Sequence, residues 1–167
     1  MQLLRAERPR RRRSGAPEEG TALILLRVRA HVVVEIARSP EEVFAYLTDV
    51  TNLPAWQSGV HSAELEGELR AGARINESRH MLGKELRTTL EIEECEPSRL
   101  FTLRALNSPV PFSVRHELEP SGGGTRLTVT GEGDAGMLPG FAAGIMARRA
   151  ERQFQKDFER LKRLLES

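Results

Sequence analysis

The stretch GFAAGIMARRAERQFQKDFERLKRLL, from Gly140 to Leu165, decides how this 167-residue chain folds. It contains no proline, and apolar side chains recur at helical spacing through Ala143, Ala147, Ala150, Phe154, Phe158, Leu161 and Leu165. The stripe is graded. Its first half is Ala and Gly with Ile145 and Met146 beside them, and its second half carries two Phe and several Leu. A helix over a filled core would be bulky along its whole length. A slim first half predicts space beneath it, and a space inside a small protein is the usual place for an apolar ligand.

Working back from this helix, the chain reads almost wholly as strands. Ala30, Val32, Val34 and Ile36 alternate with a set that includes His31 and Glu35, predicting a strand over about Arg27–Ala37. It stops at Ser39-Pro40-Glu41-Glu42, where Ser39 is an N-cap, Pro40 suits the first helical position and Glu42 completes a capping box. A second short helix, made irregular by Pro54, is predicted over Val50–Gln57. Period-two segments then follow at Val60–Glu66, Ala73–Leu82, Glu85–Glu94, Arg99–Asn107, Pro111–Glu119 and Thr125–Glu132. Links such as Gly83-Lys84, Glu96-Pro97-Ser98 and Ser121-Gly122-Gly123-Gly124 are too short for crossovers and imply antiparallel hairpins. The expected fold is α+β. A seven-stranded antiparallel sheet wraps the long C-terminal helix, with two short helices after the first strand.

The length suits one domain with a real core, and 39% apolar with 29% charged residues describes an ordinary globular chain. The net charge of +1 conceals an asymmetry. Residues 1–20 hold six arginines against three glutamates, while the rest of the chain is slightly acidic. The leader, with Arg10 to Arg13 in a row, has too little apolar area to form a core and reads as a disordered tail before a domain spanning 21–167. The acidic balance of the domain argues against nucleic-acid binding by the folded part. The run Ala22–Leu26 is shorter than a signal-peptide core, and no stretch reaches the roughly 18 apolar residues of a membrane span, so the expected location is the cytoplasm. A single cysteine, Cys95, rules out an intramolecular disulfide.

Several motifs in this order resemble the START-like superfamily, also called Bet v 1-like, SRPBCC or helix-grip, and within it the bacterial polyketide cyclase/dehydrase and lipid-transport branch. They are Ser39-Pro40-Glu41-Glu42-Val43-Phe44, Asp49-Val50-Thr51-Asn52-Leu53-Pro54-Ala55-Trp56, Leu82-Gly83, Gly123-Gly124-Thr125-Arg126-Leu127 and Leu161-Lys162-Arg163-Leu164-Leu165. The resemblance extends from about Val28 to the C-terminus. It implies a ligand held between the sheet and the terminal helix, and covers activities from cyclases to lipid carriers. The aromatic cyclases of this superfamily place tyrosine, arginine and serine in the cavity. This chain has one tyrosine, Tyr46, on the first short helix, and no motif that marks a catalytic arginine.

Among candidate site residues His116 is the sharpest. It shares the apolar parity of Phe112, Val114 and Leu118, so it faces inward, as an acid/base or ligand donor or as a histidine bonded to a neighbouring strand. Trp56 can stack on a flat ligand or close the core. Thr88 sits among Leu86, Leu90 and Ile92, and His80 lies on a strand polar on both sides, as expected of a wet cavity wall or an edge. Phe141, Ala143, Met146 and Ala147 supply the helix side of the expected cavity. Gly131 and Gly133 remove side chains near the start of the helix, or permit a bulge. Gly131-Glu132-Gly133-Asp134-Ala135-Gly136 spells a dinucleotide fingerprint, but no second parallel strand follows it, so no nucleotide cofactor is expected. The four histidines are scattered and no metal is expected.

The sequence therefore predicts a domain that binds a hydrophobic or amphipathic small molecule, lipid or polyketide-like, as a carrier or binding module. An enzyme of the cyclase/dehydratase kind using the same cavity, with His116 as candidate catalytic group, is the alternative. A third is a surface module that regulates a larger protein, which would show a filled core and an exposed apolar patch. Ligand identity and oligomeric state are not encoded in any motif.

Overall fold

Period-two hydrophobicity and short turns build one sheet in a computed structural model that describes residues 27–81, 83–136 and 139–167. The leader and Leu82 lie outside the described residues. The strands are β1 (Arg27–Ile36), β2 (Val60–Glu66), β3 (Arg74–Met81), β4 (Lys84–Glu96), β5 (Leu100–Ala105), β6 (Phe112–Ser121) and β7 (Gly124–Asp134). Their order is β1-β7-β6-β5-β4-β3-β2, and each neighbouring pair is antiparallel. Only the β1–β7 pair is not a hairpin, and it brings the first strand back beside the last.

Between β1 and β2 lie α1 (Pro40–Thr48), a 3-10 turn at Val50–Asn52 and α2 (Leu53–Trp56). The capping box forms as the sequence predicts. Ser39 Oγ accepts from the Glu42 amide at 3.3 Å, and the Glu42 carboxylate accepts from the Ser39 amide at 3.0 Å. Val43, Phe44 and Leu47 then face the core. Asp49 caps the following turn through the Thr51 amide at 3.1 Å.

The terminal helix α3 (Gly140–Glu166) runs along β1 and touches α2. Its buried residues are Ala143, Asp157, Phe158 and Leu161, so the second half of the helix carries most of the packing. Glu166 Oε1 accepts from the Ala37 amide at 2.7 Å and pins the helix end to the end of β1. Register shifts between Val60 and Ser62 and between Ile92 and Glu94 mark bulges, which bend the strands and help the sheet curl round the helix. The concave face supplies the core: Val32, Val34, Ile75, Leu90, Ile92, Phe101, Leu118, Leu127 and Val129 pack against Phe158 and Leu161.

Candidate functional site

A cavity of about 40 Å³ lies between the concave face of the sheet, α2 and the second half of α3. Phe158 forms part of the helix side. Its ring centroid lies 5.1 Å from that of Trp56, 5.8 Å from His116 and 6.1 Å from Phe154. Leu47, Val50 and Leu53 close the α1–α2 side, and Phe112 and Val114 bring in β6. Most of this lining is apolar.

Five side chains with polar groups interrupt it, Gln57, His116, Trp56, Glu77 and Arg79. His116 is buried on β6, with Nδ1 3.0 Å from the Phe101 carbonyl oxygen. A carbonyl can only accept, so Nδ1 carries the proton and Nε2 presents a lone pair. Burial pushes the His116 pKa down to about 4 against the opposing effect of the Phe101 bond, so the ring is neutral at pH 7. Trp56 is buried, and its indole N–H has no partner among the described residues. Glu77 and Arg79 project from the same face of β3. The Glu77 side chain is 1% exposed and that of Arg79 25%, and Glu77 Oε1 lies 2.8 Å from both Nε and Nη2 of Arg79. A carboxylate so deeply buried persists because the guanidinium beside it supplies both charge and hydrogen bonds.

Asp157 holds the helix over this site. It is buried, and its Oδ1 accepts from the Ser58 amide at 3.1 Å, the Ser58 hydroxyl at 2.7 Å and the Gln153 amide group at 2.9 Å. The loop between α2 and β2 is thereby tied to the second half of α3. The role of Gly131 is also visible. A Cβ there would meet the Phe154 ring at 2.7 Å, so the missing side chain is the seat of that ring, and the β1–β7 and β6–β7 registers run through without a bulge. Gly131→Val should therefore cost about 1–3 kcal/mol by overpacking, read as a fall in urea midpoint. An unchanged midpoint would show that the Phe154 ring leaves its seat freely.

The structure brings together Trp56, Phe112, Val114 and His116 of the sequence-predicted set as cavity lining. Thr88 is buried opposite Glu77 in the ladder but does not line the cavity. His80 is exposed, and its ring meets His61 edge to face. Ala143 is buried and Ala147 half-buried, both outside the lining, while Met146 is exposed and Phe141 is 76% exposed. The cavity thus lies further along α3 than its slim half, beside Phe154 and Phe158. Small side chains permit close approach of two backbones as readily as they leave a void, and none of those in the slim half of α3 lines this cavity. Glu77 and Arg79 are the residues the sequence reading missed. The signal was present, because they share the parity of Ile75, which is fully buried. Among the described residues no group of three or more His, Cys, Asp or Glu is placed to hold a metal, and no helix is long and apolar enough to cross a membrane.

This architecture is shared with solved structures. The Zhui aromatase/cyclase of Streptomyces sp. R1128 is similar with a TM-score of 0.70 and 18% identity over 84% of this chain and 94% of that one. TTHA0849 of Thermus thermophilus gives 0.64 and 20% over 83% and 94%, and Ara h 8.0201 gives 0.61 and 16% over 83% and 97%. At such identities the likeness establishes the fold alone. No curated protein matches the chain by sequence. The family model for polyketide cyclase / dehydrase and lipid transport matches residues 27–166, nearly the whole described chain, and with the helix-grip architecture and its cavity this chain belongs to that family.

Proposed function

We propose that this domain binds a hydrophobic or amphipathic small molecule between α3 and the sheet, as a carrier or binding module. The domain is assigned to residues 21–167, with the arginine-rich 1–20 as an appended tail and the cytoplasm as its place of work. The observation that carries the reading is the cavity itself, apolar around most of its wall and polar where Gln57, His116, Trp56, Glu77 and Arg79 line it.

About 40 Å³ holds no more than two or three waters, whereas small-molecule sites run to roughly 300–1,000 Å³. A ligand must therefore enlarge the cavity as it enters. The first half of α3 is the part suited to give way, since between Gly140 and Gln153 only Ala143 is buried while Asp157 anchors the rest. The catalytic alternative, a cyclase or dehydratase on a polyketide-like substrate, draws on the Glu77–Arg79 pair lining the same cavity as His116. Against it stands the pKa of His116, pushed down to about 4, which makes the ring a weak base and leaves almost no imidazolium to act as an acid at neutral pH. The surface-module alternative draws on the exposed Phe141, Ile145 and Met146.

Trp56 is the sole tryptophan and lines the cavity, so the protein carries its own reporter. Titration with N-phenyl-1-naphthylamine, a neutral apolar probe, should quench Trp56 emission and raise probe emission with saturation near one probe per chain. Probe emission unchanged by the folded protein would sink the binding reading. Turnover of a bound substrate would favour the enzyme.

A further inference from the structure

We propose that the polar groups lining this cavity select a neutral ligand bearing a hydroxyl group and discriminate against carboxylates, an inference that rests on the ligand-binding reading above. Trp56 presents an N–H donor and His116 Nε2 an acceptor, and both rings pack on Phe158. A hydroxyl can serve either group, its oxygen accepting from the indole or its hydrogen donated to the imidazole. A pure hydrocarbon leaves the buried indole N–H unpaired, which costs free energy that the hydroxyl recovers.

The charge of the wall makes the second half of the argument. Arg79 alone would mark an anion site. Glu77 cancels it, with its carboxylate bonded to the guanidinium through two nitrogens. Burial keeps the imidazole of His116 uncharged, so it adds no positive charge of its own. A ligand carboxylate would bring an uncompensated negative charge beside Glu77 and set its oxygens against the Nε2 lone pair. The wall is polar and its net charge is zero.

Three probes of one shape separate the cases: naphthalene, 2-naphthol and 2-naphthoate, each measured by equilibrium dialysis against the full chain at pH 7. The expected order is 2-naphthol tightest, about tenfold better than naphthalene for one net hydrogen bond, with 2-naphthoate weakest. Trp56→Phe keeps an aromatic ring and removes the donor, and should shrink the advantage of 2-naphthol over naphthalene several-fold. Glu77→Gln leaves Arg79 its charge and should move the order toward 2-naphthoate; should that variant not fold, the wild-type order decides alone. Equal affinity for naphthalene and 2-naphthol, or tightest binding of 2-naphthoate, overturns this inference and leaves the cavity reading standing. Failure of all three to bind the folded protein overturns the ligand-binding reading itself.

Discussion

Phe158→Ala should lower the stability by about 3–5 kcal/mol, the largest effect expected of any single truncation near the cavity. Phe158 is buried and packs on Trp56, His116 and Phe154, so its removal takes contacts from three elements together. The space left is on the order of 100 Å³ and opens into a cavity that is now about 40 Å³. Such an apolar hole is a binding site in its own right. Benzene should therefore raise the melting temperature of Phe158→Ala by more than it raises that of the wild type, because a ligand that binds only the folded state stabilises it by mass action and the variant offers a hole already open. Urea unfolding measures the loss and a thermal scan with ligand measures the rescue. A loss below about 1 kcal/mol would mean that α3 is not packed against Trp56 and His116 as described.

The second large effect depends on pH. His116 has its folded pKa pushed down to about 4 by burial, below the ordinary histidine value of about 6.5. The fold therefore favours the neutral ring. Above pH 6.5 neither state is protonated and the contribution is complete. As pH falls from 6.5 to 4 the unfolded chain takes up a proton that the folded chain cannot, and stability declines. The loss is on the order of 3 kcal/mol by pH 4, and the curve for this group flattens below that. His116→Phe removes the titrating group but keeps a ring in the core. The difference in unfolding free energy between pH 7.5 and pH 4.5 should then be about 2–3 kcal/mol smaller in the variant than in the wild type. Equal pH dependence would place His116 in contact with water. A pH dependence that the variant shares belongs to other groups. Comparison with the variant cancels the exposed carboxylates of Glu35 and Glu85, whose pKa values are lowered by Arg126 and by Ser78 respectively, since these titrate alike in both proteins.

Local chemistry was legible because it is short in range. The capping box at Ser39 and Glu42, the turns carrying Gly83 and Gly122-Gly123, the strand alternation of Val32, Val34 and Ile36 and the stripe ending in Phe158 and Leu161 each depend on neighbours within a few residues. The inward face of His116 followed from the same alternation, and the antiparallel sheet followed from links too short to cross over. What tertiary structure decided is how distant faces meet. The composition of α3 showed that its first half is slim, but not whether slim side chains leave a void or let the helix settle on β1. Packing in three dimensions made that choice, leaving Phe141 and Met146 exposed and the cavity further along, beside Phe154. Gly131 gained its meaning only when the Phe154 ring came to lie on it, and Glu77 and Arg79 became an interior pair only when the curl of the sheet turned β3 over the core. Periodicity reports which side of an element is apolar. The space between two elements depends on side chains that lie many residues apart in the chain, and only their packing in three dimensions determines it.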